Sequence, residues 1–222
     1  MPIAIAIDGP AGAGKSTIAR LAAAELGFIY VDTGALYRAI GLAAKRRGIE
    51  PSDKDAVIAM LGEISVGLAF NDEREQVVLL DNEDVSGLIR TPEISMMASA
   101  VSAIPEVRDY LLKLQRDMAD NNNVIMDGRD IGTVILPNAQ IKIFLFASPE
   151  CRARRRYDEL IAKGTDVQFD DVLKDVIDRD YADSHRDVAP LKPADDAIMV
   201  DTSWQTKDES VKQLIGIMKE RL

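Results

Sequence analysis

The stretch GPAGAGKST, residues 9–17, has the residue types and the spacing to bind phosphate groups. It fits the pattern G-x-x-x-x-G-K-[ST], in which backbone N–H groups and a helix N-terminus surround phosphate oxygens. We expect Lys15 to reach the terminal phosphates of a nucleotide and the Ser16 hydroxyl to hold Mg²⁺. The loop leaves open whether water, a protein or a small molecule accepts the terminal phosphate. The predicted nucleotide-binding residues are Gly9, Pro10, Ala11, Gly12, Ala13, Gly14, Lys15, Ser16 and Thr17.

Arginines that could neutralise phosphate charge are concentrated in the sequence RARRR, residues 152–156. On a helix, Arg152, Arg155 and Arg156 share one face, whereas Arg154 points elsewhere. Arginine suits bidentate contact with phosphate, although an isolated charged run is usually only a solvated helix face. Because the chain is acidic overall and carries a phosphate loop, we favour a role in nucleotide binding.

Five short apolar runs indicate the strands that must position these side chains, and helical patterns separate several of them. The helix after the phosphate loop is expected at residues 15–26, with Gly27 as its C-terminal cap. Its apolar face is expected to carry Ile18, Leu21, Ala22 and Leu26. Strands that alternate with helices predict an α/β fold whose parallel sheet is covered on both faces. The predicted strands are residues 3–7, 28–31, 124–126, 141–146 and 197–200.

Polar residues follow four of these strands: Asp8, Asp32, Asp127 and the pair Asp201–Thr202. In an open α/β sheet, ligands bind beyond the carboxyl ends of the strands. One such residue could merely end a strand, but four beside a phosphate loop indicate a shared ligand-binding edge.

Two segments interrupt the alternating pattern. In the first, residues 66–70 and 76–80 flank the polar turn NDERE and predict an antiparallel hairpin, with a third strand expected at residues 85–86 after a turn at 81–84. The second predicts two helices: one from Ser148–Pro149 to Lys163–Gly164, and one with Val172, Leu173, Val176 and Ile177 at helical spacing.

Composition excludes several classes of protein. The 222 residues suggest one domain with insertions, and 47% hydrophobic with 29% charged residues is typical of a soluble globular protein. A net charge of −10 disfavours nucleic acid and anionic membranes as partners. One Cys and one His cannot form an intrachain disulfide or a Cys/His zinc site. No signal peptide or membrane-spanning run is evident, so we expect a cytoplasmic protein.

The class of phosphate-loop protein can be narrowed by elimination. A switch GTPase would carry N-K-x-D, which is absent from the sequence, and a motor or transporter ATPase would usually be larger or assembled. Small kinases remain, in which two lobes close over donor and acceptor and exclude water. A shikimate or gluconate kinase, or a regulatory protein that binds nucleotide without turnover, stays as an alternative.

The chain resembles bacterial cytidylate kinases in a series of segments that follow the family's order along nearly the whole sequence. They include IAIDGPAGAGKST, DTGALYRA, DVSGLIRTPEIS, GRDIGTVILPNAQIKIFLFAS, RARRR, RDYADSHRDVAPL and PADDAIMVDTS. The resemblance implies phosphoryl transfer from ATP to CMP or dCMP, with Mg²⁺. We expect the protein to be a monomer. The resemblance also implies a three-layer P-loop NTPase fold with a central five-stranded parallel sheet. The implied core is residues 1–34, 105–147 and 187–222; an insertion at 35–104, with a small antiparallel sheet, would bind the monophosphate, and a helical lid would span 148–186.

The same resemblance implies the roles of individual residues. Arg152 and Arg155 would contact ATP. The acceptor site would comprise Thr33, Arg38, Ser99, Arg108, Arg129, Asp130, Arg179, Asp183 and Arg186. The catalytic group would comprise Lys15, Arg129, Asp130, Arg155 and Arg179. Thr33 stands where some relatives have Ser, which leaves the preference between CMP and dCMP open.

Cytosine chemistry gives a separate argument for Asp130. Cytosine offers an N4 amine donor, which a carboxylate can accept, and acceptors at N3 and O2, which Arg108 or Thr33 could satisfy. Uracil presents an oxygen where cytosine has the amine. A buried carboxylate at that position therefore disfavours UMP, because its oxygen would be left unpaired.

Overall fold

The computed structural model describes residues 2–71 and 75–222, which divide into two compact units. The inserted unit is Ile29–Val124, and the flanking unit combines Ile3–Phe28 with Ile125–Leu222. The strands are β1 (Ala4–Asp8), β2 (Ile29–Asp32), β3 (Val66–Phe70), β4 (Gln76–Leu80), β5 (Glu83–Asp84), β6 (Val124–Gly128), β7 (Ile141–Phe146) and β8 (Ile198–Asp201). The helices are α1 (Lys15–Leu26), α2 (Thr33–Arg46), α3 (Lys54–Leu61), α4 (Pro92–Val101), α5 (Pro105–Asn121), α6 (Pro149–Ala162), α7 (Phe169–His185) and α8 (Lys207–Lys219).

The larger of the two sheets has five strands in the order β2-β6-β1-β7-β8, and the smaller has the order β3-β4-β5. Parallel pairing places Ile7 opposite Ile143, and Ile143 opposite Ile198. Ile5 and Ile7 are completely buried, as expected of a strand with both faces covered. The predicted α/β fold with a five-stranded parallel sheet and a small antiparallel sheet is confirmed.

Helix α1 begins directly after the phosphate loop and ends where the sequence predicted. Gly27 adopts a left-handed conformation with φ of 71°, and its N–H donates to the Ala23 carbonyl. The predicted apolar face is wrong at Leu21, which is 38% exposed. Small residues such as Ala19 and Ala23 are buried instead.

The inserted unit has a core of its own, formed by α2, α3, α4, α5 and the hairpin. Leu36 and Ile40 of α2 are fully buried in it, together with Leu111 of α5. The Tyr110 hydroxyl donates to the Ile64 carbonyl at 2.9 Å and so attaches α5 to the start of the hairpin.

The predicted hairpin is present, with Val66 opposite Leu80. The turn predicted at residues 71–75 lies partly outside the described residues. The third strand was wrongly placed at residues 85–86, since Glu83 already pairs with Leu80. The reason is the two-residue turn: Asp81 and Asn82 both have positive φ, 52° and 65°, which suits the tightest connection between antiparallel strands.

The two helices predicted after β7 are also present, and they pack against each other. Ser148 caps α6 by accepting from the Cys151 N–H at 3.2 Å, with Pro149 in the first turn. Within the described residues, none of the helices is both long and apolar enough to cross a membrane.

Candidate active site

The phosphate loop joins β1 to α1 and is packed against the ends of neighbouring strands. Gly9 is required there, because a Cβ at this position would lie 1.9 Å from the Leu145 carbonyl oxygen. The Thr202 hydroxyl, beyond the end of β8, donates to the Ala13 carbonyl at 3.2 Å. The loop is therefore fixed from two sides, by the backbone of β7 and by the residue that follows β8.

Lys15 is 5% exposed, and its Nζ donates to the Pro10 carbonyl at 2.8 Å. Burial and, to a smaller extent, the nearby Arg129 lower the pKa of this ammonium to about 7, while Asp127 and Asp8 oppose the shift. A buried cation of this kind favours an anionic ligand, because phosphate oxygens would stabilise its charge.

Ser16 is oriented by Asp127, the penultimate residue of β6. The Ser16 hydroxyl donates to Oδ2 of Asp127 at 2.9 Å, and Asp127 is only 4% exposed. The Ser16 hydroxyl and the Asp127 carboxylate are oxygen ligands of the kind that Mg²⁺ prefers. Sequence reasoning placed Ser16 alone at the metal, although the position of Asp127 at a strand end was a signal for including it.

Asp8 joins β1 to the segment that follows β6. Its carboxylate accepts the N–H groups of Ile131 and Gly132, both at 2.7 Å, where a short π-helix, Ile131–Ile135, begins. Burial raises the pKa of Asp8 to about 6, although the two backbone hydrogen bonds lower it. Asp8 thus fixes the backbone next to Asp130, a function that the sequence did not reveal.

Four of the predicted acceptor-site residues lie together in the flanking unit. Arg129 donates through Nε to Asp183 at 2.9 Å, and Arg186 Nη2 lies 3.6 Å from Asp130 Oδ1. Asp130 and Asp183 are both nearly buried, at 3% and 5% exposure. Arg179, which is half-buried, precedes Asp183 by one turn of α7.

The arginines of α6 point in different directions. Arg155 donates through Nη2 to the Thr202 carbonyl at 2.7 Å, next to the phosphate loop. Arg154 lies over the Phe169 ring at 4.5 Å, away from that loop, as its spacing predicted. Arg156 lies 3.6 Å from Glu159, and Arg152 is buried within the unit.

In the inserted unit, Asp32 organises the start of α2. Its carboxylate caps the helix by accepting from the Ala35 N–H at 3.0 Å, and it accepts from Arg38 Nη2 at 2.6 Å. Thr33, the first residue of the helix, is 3% exposed. Among the residues described, no hydrogen-bond partner reaches the buried Nε of Arg38.

Gln76, the first residue of β4, holds the same turn through its side-chain amide. The Asp32 N–H donates to Gln76 Oε1 at 2.8 Å, and Gln76 Nε2 donates to the Asp32 carbonyl at 3.2 Å. The amide therefore binds the Asp32 backbone as a neighbouring strand would. Nothing in the sequence pattern pointed to Gln76, because its partner lies 44 residues away.

Ser99 and Arg108 occupy the other predicted acceptor positions in this unit. Ser99 is half-buried on α4, and its carbonyl accepts from the Ser102 hydroxyl at 2.8 Å. Arg108 is 8% exposed, donates to the Ser102 carbonyl at 3.3 Å and lies 5.7 Å from the Tyr37 ring centroid. Ser102 thus connects the two residues.

A strand, a glycine-rich loop with a buried lysine and a capped helix together define the flanking unit as a phosphate-loop nucleotide-binding structure. A solved structure of a protein from Eubacterium ventriosum has the same fold, with a TM-score of 0.51 and 12% identity over 99% of each chain.

The sequence model of the cytidylate kinase family matches residues 5–220, so the chain belongs to this family. A relative from Ligilactobacillus salivarius named cytidylate kinase is 50% identical over 98% of this chain and 96% of its own length. A second relative with that name, from Caldanaerobacter subterraneus, is 50% identical over 99% of this chain and 96% of its own length.

Proposed function

We propose that the protein transfers the γ-phosphate of ATP to CMP and dCMP and so forms ADP with CDP or dCDP. The observation that carries this proposal is the family match over residues 5–220, which includes both the phosphate loop and the Arg129–Asp130 segment. Family membership makes the protein a phosphotransferase that acts on small nucleotides, and it favours a nucleotide acceptor over shikimate or gluconate.

The donor nucleotide is held by the phosphate loop. Backbone N–H groups of residues 11–17 surround its phosphates, and the buried Lys15 ammonium lies against their terminal oxygens. Arg155 supplies further positive charge from α6. Ser16 and Asp127 hold Mg²⁺, which supplies neutralisation of phosphate charge when it is bound.

We assign recognition of the acceptor monophosphate to two groups of residues, which are described separately for each unit. Arg38 supports this assignment, because its buried Nε has no hydrogen-bond partner among the described residues and a phosphate oxygen would satisfy it. Asp130 accepts from the cytosine amine, which UMP lacks. The further acceptor contacts are assigned to Thr33, Ser99, Arg108, Arg129, Arg179, Asp183 and Arg186.

Catalysis follows from positioning and charge rather than from a strong base. The transferring phosphoryl group carries charge on its three outer oxygens, and well-placed cations stabilise it. Lys15, Arg129, Arg155 and Arg179 provide those cations, while Asp130 orients the acceptor. In this scheme residues 35–104 and 148–186 close over the substrates and exclude water, so that the phosphate passes to CMP.

We further propose that the enzyme acts as a cytoplasmic monomer with no nucleic-acid or membrane partner. The net charge of −10 supports this, because it disfavours polyanionic partners while arginine clusters bind small anions locally. Sedimentation of the purified chain checks the monomeric state.

A coupled ADP-release assay across nucleoside monophosphates tests the reaction. With MgATP, we expect CMP and dCMP to be phosphorylated much faster than UMP, AMP or GMP. Equal rates with all monophosphates would contradict the assigned specificity. ATP binding without turnover of any acceptor would instead favour a regulatory protein.

A further inference from the structure

The guanidinium of Arg152, in the first turn of α6, is committed to acceptors within the protein. Nε donates to the Ala147 carbonyl at 2.8 Å, and Nη1 donates to the Ala11 carbonyl at 3.0 Å and to Asp180 Oδ1 at 2.9 Å. Nη2 donates to the other carboxylate oxygen of Asp180. The side chain is 2% exposed, so all three nitrogens are engaged inside the flanking unit.

These hydrogen bonds fix the orientation of the Arg152 guanidinium and also neutralise its charge. A guanidinium is a planar fork that fits a carboxylate through two parallel hydrogen bonds, and here the same plane also meets two backbone carbonyls. A buried ion pair contributes little net stability relative to apolar residues of similar volume. The main effect of the Arg152 contacts is therefore to hold Ala147, Ala11 and Asp180 in fixed positions relative to one another.

The groups joined by Arg152 belong to the phosphate loop and to the second lid helix. Ala11 lies in the loop, and Asp180 lies on α7. The loop packs directly on this arginine, because a Cβ added at Gly12 would lie 3.3 Å from the Arg152 Cβ. One side chain thus touches the loop and holds the helix.

A second ion pair holds α7 one turn further along. Asp183 follows Asp180 at spacing i+3, on the same side of the helix, and accepts from Arg129 at 2.9 Å. The helix is therefore attached to the phosphate loop through one aspartate and to the end of β6 through the next. Arg179 lies directly beside the first attachment point.

We propose that Arg152 and Asp180 form a positioning pair that fixes the phosphate loop against α7, and that Arg152 does not itself bind ATP. The proposal rests on the proposed kinase function, since turnover supplies its main readout. Contacts from the lid to ATP phosphates then fall to Arg155 and Arg179. Within the RARRR sequence, Arg152 is accordingly an internal positioning residue and Arg155 is the residue that contacts the nucleotide.

A double-mutant cycle tests whether the two side chains act as one unit. The variants are Arg152→Met, Asp180→Asn and the combination, measured as kcat/KM for CMP at saturating MgATP. Misplacement by about 1 Å can cost roughly 10²-fold in rate, so we expect each single variant to lose about 10- to 100-fold. The double variant should be no worse than Arg152→Met. Losses that multiply would overturn the proposal.

Arg152→Lys separates a positioning role from a phosphate contact. Lysine remains a point charge that can meet phosphate, but it cannot form a fork across Asp180, Ala11 and Ala147. We expect Arg152→Lys to lose as much activity as Arg152→Met. Substantial rescue by lysine, or tighter ATP binding by Asp180→Asn through a released Arg152, would show that Arg152 is an ATP ligand.

Asp178→Asn is the matched control, because it makes the same change at an exposed position of α7. We expect its kinetics to stay within about twofold of the wild type. If Arg152→Met does not unfold cooperatively and is therefore misfolded, the activities of Arg152→Lys and Asp180→Asn still test the positioning role of Arg152. Should the wild type not phosphorylate CMP, the proposed function fails, and non-additivity is then read from equilibrium ATP binding.

Discussion

The two compact units hold the arginines of the candidate site in different ways. In the flanking unit each of three arginines faces an aspartate: Arg129 with Asp183, Arg152 with Asp180, and Arg186 with Asp130. In the inserted unit, Arg38 donates to Asp32, which also caps the first turn of α2, and Arg108 lies over the Tyr37 ring.

The difference reflects how much positive charge each unit has to concentrate. Arginines that surround a polyphosphate repel one another before the ligand arrives, and neighbouring aspartates offset that repulsion and orient the side chains. The inserted unit holds fewer cations, so helix capping by Asp32 and backbone contacts from Gln76 are sufficient. Mutations in the inserted unit should therefore affect the acceptor, whereas mutations in the flanking unit should affect the donor or the acceptor according to the residue that is changed.

The largest effect is expected for Lys15→Met in the flanking unit. The substitution keeps the length of the side chain but removes the cation from the terminal phosphates, so kcat/KM for ATP should fall about 10²- to 10³-fold. Lys174→Met, at an exposed position of α7, is the control and should change little. A loss below tenfold would show that Lys15 does not face the transferring phosphate.

Asp130→Asn should affect the acceptor far more than the donor. An amide can present N–H groups to the cytosine amine, and it weakens the contact with Arg186, 3.6 Å away. Loss of a charged hydrogen bond predicts a decrease of about 10- to 100-fold in kcat/KM for CMP, with ATP affinity within a few-fold. Asp187→Asn, at an exposed position, is the control. If ATP affinity fell instead, the division of the site would be wrong.

Gln76→Ala tests the backbone-based positioning in the inserted unit. It removes both hydrogen bonds to the Asp32 backbone, so we expect KM for CMP to rise about 5- to 10-fold, with KM for ATP unchanged. Gln76→Glu retains the acceptor oxygen for the Asp32 N–H, so its KM for CMP should lie between those of the wild type and Gln76→Ala. Gln213→Ala, exposed on α8, is the control. A lower melting temperature with unchanged KM for CMP would indicate a purely structural contact.

The smallest effect concerns pH and again belongs to the flanking unit. Since the pKa of Lys15 is lowered to about 7, the Lys15 side chain is neutral in most of the ligand-free protein at pH 8. Phosphate favours the charged form, so ATP binding should take up protons, and affinity should fall by less than tenfold from pH 7 to 8. Calorimetry in buffers with different ionisation enthalpies measures the uptake. Lys15→Met should abolish it; equal uptake by both proteins would contradict this origin.

Local patterns in the sequence were sufficient for much of the fold. The phosphate loop, the strands and the Gly27 cap follow from spacing and residue type over a few positions. Where local preference competed with packing, prediction was less accurate: Leu21 is exposed, and the third strand begins two residues earlier than expected.

The contacts that organise the candidate site could not be predicted, because they join distant positions. Asp8 binds the Ile131 N–H across 123 residues of chain, and Arg152 reaches the Ala11 carbonyl across 141. Hydrophobic periodicity carries no information about such pairs. The identity of the residues marked the site as phosphate-binding, but only the fold shows which arginine faces inward.

The central claim is that the phosphate passes from this loop to a cytidine monophosphate and not to water. Incubation of the purified protein with CMP and MgATP labelled at the γ-phosphate tests it most directly, with products separated by chromatography. We predict that one labelled phosphate appears in CDP for each ADP formed, and that Lys15→Met slows the formation of both products about 10²- to 10³-fold. Label in inorganic phosphate, with no labelled CDP, would contradict the claim.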